Sequence, residues 1–332
     1  MKRTLTVCCA GHFLVDLGCA FLLFRAFPGH WDWAGLLILY NFCAFAMQMP
    51  LGLLADGWKR DGAVAAAGAI LVAAAYALTD WPVLAVWTAG LGNAAFHIGA
   101  GLETLTLSGE RAGPLGLFVS PGAVGLFVGT LLGRGMELPF LILPPVLLAV
   151  AAALLLFRAE RDELHTKPEL PKWKAVGVPL AALLAVVVLR SFVGMNLTFP
   201  WKGEGRWVLL LTFAVAAGKA AGGYLADRFG MRRIALASLL LCAGSMLLSG
   251  SPVFGTMAVL LFNMTMPLTL WAAARLLPGA RGFAFGILTF GLFLGFLPSA
   301  FGAPALTGRA AAILSLTSLA LLLPGLRKAV RQ

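Results

Sequence analysis

Apolar runs about as long as a bilayer core is thick recur from one end of this chain to the other, and that recurrence constrains its fold most. Inside hydrocarbon the backbone has no water to bond, so a spanning run satisfies its own N–H and C=O groups by becoming an α-helix. Charge, Pro and Gly divide the runs into twelve expected spans, at about 5–26, 33–55, 62–79, 82–107, 113–133, 138–157, 175–199, 207–226, 233–250, 253–274, 282–300 and 304–324. Twelve spans of roughly 20 residues use about 240 of the 332 and leave about 90 between them, too few for a sizeable soluble domain. The composition agrees, with 60% apolar and 12% charged residues where soluble domains average about 45–50% and about 25%. An all-α polytopic membrane protein is expected.

The formal charge of +11 would point to nucleic acid in a soluble protein, but its distribution carries the information. With the N-terminus placed inside, the inner segments hold Lys2, Arg3, Lys59, Arg60, Arg111, Arg158, Arg161, Lys167, Lys172, Lys174, Arg228, Arg232, Arg233, Arg275, Arg281, Arg327, Lys328 and Arg331. The outer segments hold only Arg25, Arg134, Lys202, Arg206 and Arg309. This bias predicts a multi-pass protein of the cell (inner) membrane with both termini cytoplasmic, and no nucleic-acid partner. Lys2 and Arg3 could open a signal peptide, but the run after them carries His12 and Asp16 and lacks a small-residue cleavage site, so it reads as a retained first span. The five cysteines lie in apolar runs without metal-ligand spacing.

Gly52-Leu53-Leu54-Ala55-Asp56 returns as Gly223-Tyr224-Leu225-Ala226-Asp227, and Gly109, Arg111, Gly116 and Gly125 return as Gly279, Arg281, Gly286 and Gly295, at a common offset of about 170 residues. Two matched blocks at equivalent positions imply two six-span halves repeated in parallel. The expected division is 1–157 and 175–332, joined by a cytoplasmic linker at 158–174 that holds Pro168 and Pro171.

At these residues the sequence resembles a major facilitator superfamily transporter. The loop signature Gly-x-Leu-Ala-Asp-Arg-x-Gly-x-Arg-Arg is met in Gly223 to Arg233, whereas the first copy has Gly57 where Arg is usual and Lys59 where Gly is. Within that superfamily the chain most resembles the fosmidomycin-resistance-like efflux group. The likeness is carried by His12 to Asp16, Gly92 to His97, Ser108 to Gly125, Arg190-Ser191 and Leu277 to Arg281. The resemblance implies a monomeric secondary transporter of a small molecule, without cofactor, in which spans 1, 4, 7 and 10 border a central cavity. It also implies that span 2 lies beside span 11, and span 8 beside span 5.

An ionised carboxylate at the middle of a span costs on the order of 2.5–3.5 kcal/mol, so Asp16 needs a partner or a use. His12, one helical turn earlier, faces it and can share its proton. With His97, and Glu103 as a possible relay, this is the expected proton-coupling site. Two His and one carboxylate also suit transition metals, but an i,i+4 pair plus one remote His is thin evidence, and no metal is expected. Arg190 lies deep in span 7 and stays protonated, so it is expected to hold a substrate anion or to pair with Asp16. Asn41, Asn93, Asn196, Asn263 and Trp271 are further substrate-binding candidates that interhelical hydrogen bonding explains equally well. Lys219 within span 8 has no assigned role.

Asp56 and Asp227, followed by Arg228, end spans 2 and 8 at the inner surface. They are expected to hold the Arg281 end of span 11 and the Arg111 end of span 5, closing an inner gate. Gly116-x3-Ser120-Pro121-x3-Gly125 partly resembles the Gly-Pro motif of drug antiporters and leans toward export. Uptake of a small organic anion by proton symport is the rival reading. A polytopic enzyme would need a catalytic constellation; neither His-Glu-x-x-His nor an Asp-rich motif occurs.

Overall fold

A computed structural model describes residues 2–135, 138–158, 173–203 and 205–331. Among them are twelve helical segments in the expected order: α1 Lys2–Ala26, α2 Trp33–Trp58, α3 Asp61–Leu78, α4 Pro82–Ser108, α5 Gly113–Gly135, α6 Phe140–Leu156, α7 Trp173–Asn196, α8 Gly205–Phe229, α9 Met231–Leu247, α10 Pro252–Leu276, α11 Arg281–Ala300 and α12 Gly308–Val330. Most of the expected linker, 159–172, lies outside the described residues. Large apolar side chains such as Leu53, Leu240, Leu241 and Ile313 are exposed, as lipid-facing positions demand.

The structure shifts the last spans. Span 7 ends at Asn196 because Leu197 leaves the helix and bridges Leu306, whose N–H donates to the Asn196 carbonyl at 2.8 Å. That pairing holds 304–306 out of the last helix, so α12 starts beyond Thr307, whose hydroxyl caps it, and runs on to Val330. Three helices are interrupted: α2 by a π-helical turn at Phe42–Ala46, α5 at Ser120 and α10 at Met264. In α5 Pro121 has no N–H for the Leu117 carbonyl. The Ser120 hydroxyl bridges the break instead, shared between the carbonyls of Gly116 at 2.7 Å and Ala216 at 2.9 Å.

The residues gather into two compact units. The first takes the described residues of 1–109, 121–169 and 279–290; the second takes those of 110–120, 170–278 and 291–332. Each half of the sequence therefore lends a short piece to the other half's unit, namely the first turns of α5 and of α11.

Helices in lipid gain little from apolar contact and associate where small residues let backbones approach. In the first unit a Cβ on Gly68 of α3 would run into the backbone of Phe96 and Gly92 on α4, and one on Gly125 would strike the Phe13 carbonyl of α1. In the second unit a Cβ on Gly222 of α8 would meet the backbone of Met264 on α10, and one on Gly295 of α11 the Val188 carbonyl of α7. At the turn after α2, Lys59 takes a positive φ of 54°, as its repeat counterpart Gly230 does at 96°.

Overpacking a backbone contact costs about 1–3 kcal/mol. Gly68→Ala is therefore expected to destabilise the protein by at least about 2 kcal/mol, whereas Gly244→Ala, with open space around it, should be neutral or gain up to about 1 kcal/mol in helix propensity. Thermal unfolding of the purified variants checks both.

Candidate functional site

Two helices of the first unit bring the expected acid and imidazoles together. On α1, Asp16 Oδ2 lies 3.2 Å from His12 Nε2; across the interface with α4, Asp16 Oδ1 lies 3.7 Å from His97 Nε2. The two Nε2 atoms are 2.9 Å apart, with the rings edge to face. The Asn93 amide donates to Asp16 Oδ1 at 2.9 Å, and the Asn93 carbonyl accepts from His97 Nδ1 at 2.8 Å. On each helix the paired residues are one turn apart, so the periodicity that makes both spans also aligns the four side chains.

This bonding decides where protons sit. A carbonyl only accepts, so His97 Nδ1 carries a hydrogen. In the neutral ring His97 Nε2 is then an acceptor and takes the His12 Nε2 proton. The 2.9 Å contact holds one proton; a second would set two N–H groups against each other. The accessible fraction of the side chain is 8% for His12, 11% for His97 and 19% for Asp16, so the acid is the cluster's most open member. The two Nε2 atoms and an Asp16 oxygen lie within 4.8 Å of one another, a donor set that could also hold a divalent metal.

Gly122 is a site residue that sequence reasoning passed over. A Cβ there would run into His12 Nε2 and Asp16 Oδ2, so glycine lets α5 approach the cluster without displacing those side chains. Its place directly after Pro121 was the available signal. Glu103 is buried but lies elsewhere, beside Gly62 of α3, and is not among the three clustered ligands.

In the second unit Arg190 on α7 is 7% exposed. Its Nη2 donates to Thr265 Oγ1 at 3.0 Å and its Nη1 to Thr269 Oγ1 at 3.4 Å, both on α10, while Nε has no partner among the described residues. Arg190 faces a cavity of about 310 Å³ between α7, α8 and α10, and Asn263 lines the same cavity. The remaining candidates are structural in their contacts. Asn41 donates to the Leu37 carbonyl of its own helix at 2.8 Å, and Asn196 joins α7 to Ser299 of α11 at 2.7 Å. Trp271 donates to the Glu110 carbonyl at 2.7 Å, beside the Arg275–Glu110 ion pair at 3.0 Å.

The two repeated aspartates bind helix N-termini. In the first unit Asp56 accepts from the N–H groups of Gly282 at 2.7 Å and Phe283 at 2.9 Å, in the first turn of α11 that Arg281 opens. In the second, Asp227 accepts from Ala112 at 2.7 Å and Gly113 at 2.8 Å, at the start of α5. Each carboxylate satisfies two of the orphan donors that a helix start leaves and meets the positive end of its dipole. Arg111 and Arg228 are exposed, Arg228 lying over the Phe229 ring.

No family profile matches the chain. No curated protein sequence matches it either. Solved structures do. The chain is similar to the E. coli fucose:proton symporter FucP, at 15% identity over 98% of both chains with a TM-score of 0.65. It is similar to the human organic anion transporter MFSD10 (TETRAN), at 16% identity over 99% of both chains with a TM-score of 0.68. A bacterial homologue of the iron transporter ferroportin, in an outward-facing state, matches at 17% identity over 99% of this chain and 98% of that one, with a TM-score of 0.65. The chain therefore has the fold of these transporters, and among the described residues ten of its helices are long and apolar enough to cross a membrane.

Hydrogen bonds to a charged group are worth about 1.5–3 kcal/mol, so Asp227→Ala should speed hydrogen exchange of the Ala112 and Gly113 amides by about tenfold or more. The Gly282 and Phe283 amides on Asp56 should be unchanged, and peptide-resolved exchange in detergent reads both.

Proposed function

We propose that this protein is a secondary active transporter that exchanges protons at the His12–Asp16–His97 cluster for a small molecule, exporting it by alternating access. The observation that carries the reading is the cluster itself, a carboxylate and two imidazoles within hydrogen-bonding or ion-pair distance of one another on two packed helices. Loading a second proton breaks the Nε2–Nε2 contact, and α1 and α4, which carry the two rings, must then adjust. That is the event a proton gradient can drive.

The gate in this reading is the pair of carboxylate clamps. Asp56 holds the α11 start and Asp227 the α5 start; opening the inner mouth releases both. The breaks at Ser120 and Met264 give α5 and α10 places to bend without losing buried backbone bonds along their whole length. The basic bias of the expected inner segments places both termini in the cytoplasm, the resemblance to the fosmidomycin-resistance-like group favours export, and the protein works as a monomer. Proton-coupled uptake of an organic anion is the second reading. Arg190 favours it, and among proteins of this fold one is a fucose:proton symporter and another an organic anion transporter.

Reconstitution in liposomes with an imposed pH gradient and a panel of anionic and cationic amphiphiles tests the reading. Substrate-dependent proton flux is expected in the native protein, and its sign gives the direction of coupling. Asp16→Asn should reduce that flux to the level of empty liposomes; flux that persists with the same pH dependence would overturn the proton assignment.

A further inference from the structure

We infer that the second unit contains a binding site for an amphipathic organic monoanion, with its carboxylate on Arg190 and its apolar body in the cavity between α7, α8 and α10. The inference rests on the transporter reading and names its substrate class.

Arg190 is a cation without a counter-ion. Among the described residues no carboxylate pairs with it, and its two partners are neutral hydroxyls. Those hydroxyls are fixed as acceptors, because Thr265 donates to the Phe262 carbonyl at 3.0 Å and Thr269 to the Met266 carbonyl at 2.7 Å. The fork is thereby held still with part of its donor set, Nε included, unspent. Burying a charge without a partner is expensive, and a guanidinium cannot escape the cost by losing its proton under physiological conditions. A fixed, unbalanced guanidinium at a cavity wall is a preformed carboxylate receptor.

The cavity determines the rest of the ligand. Of its lining, Arg190, Lys202, Thr212 and Asn263 are polar, and Val193, Leu197, Leu211, Val215, Val259 and Phe262 are among the apolar walls. Its volume of about 310 Å³ is at the small end of ligand pockets, room for one compact apolar body with an acid group. The interruption of α10 at Met264 falls between cavity-lining Asn263 and Arg-binding Thr265, so the helix is broken where the polar contacts concentrate.

The test is equilibrium binding of tritiated 2-naphthoate to the full chain in phosphatidylcholine nanodiscs, with neutral 2-naphthamide as the matched control. Saturable 1:1 binding of naphthoate is expected, at least tenfold tighter than the amide. Arg190→Gln should remove that preference, and Leu211→Trp, which fills the cavity and keeps the guanidinium, should weaken naphthoate at least tenfold. Equal binding of acid and amide, or native affinity in either variant, would overturn the site. So would displacement of naphthoate by phosphatidylglycerol added to the nanodiscs, which would assign the guanidinium to a lipid headgroup. Binding needs neither a gradient nor gate movement, so its failure would leave the proton-flux measurement to decide the transporter reading separately.

Discussion

In both units helices approach backbone to backbone at glycines, and the reach of the aspartates depends on those approaches. An aspartate side chain is short, so Asp56 can reach the N–H groups of Gly282 and Phe283 only if α2 and α11 touch. They do: a Cβ on Gly52 would strike the Gly282 carbonyl, and one on Gly286 the Gln48 carbonyl. In the second unit Gly223 lies against the Ala112 carbonyl and Gly116 against the Lys219 carbonyl, which brings Asp227 to the start of α5. Gly122 does the same for the imidazole cluster. Where lipid supplies no hydrophobic force between helices, contact between backbones is what sets each side chain's reach.

The two units solve the problem of buried charge in opposite ways. In the first, Asp16 lies beside two imidazoles, each able to carry a positive charge, and accepts a hydrogen bond from the neutral Asn93 amide. In the second, Arg190 is held by oxygens that carry no charge and has no titratable partner among the described residues. A site of the first kind suits a mobile proton; one of the second kind suits a ligand that brings its own negative charge.

Much of this was legible in the residues. Twenty-residue apolar runs leave the backbone no choice but helix, so the spans could be read in number and order, with ends displaced by up to about six residues, and the His12–Asp16 pair followed from helical spacing. What could not be read was whatever depends on main-chain groups. Asp227 was expected at the Arg111 end of span 5, but its hydrogen-bond partners there are the amides of Ala112 and Gly113, which a sequence does not display as donors. The start of α12 depends on a bridge between Leu197 and Leu306, far apart in the chain. Lys59 departs from the loop signature that Gly230 keeps, yet both adopt positive φ, so the turn survives a residue that pays for it in backbone strain.

The unit boundaries carry the last step. They fall after Ser120 in α5 and after Phe290 in α11, positions that correspond in the repeat. In each helix the first turns bind one unit, through Asp227 or Asp56, and the later turns bind the other, through Gly125 on α1 or Gly295 on α7. The His12–Asp16–His97 cluster lies in the first unit and the residues that line the Arg190 cavity lie in the second. α5 and α11 are the helices that contribute residues to both units. Gly122 of α5 lies against His12 and Asp16, and α5 continues through the Ser120–Pro121 break into the segment that Asp227 holds.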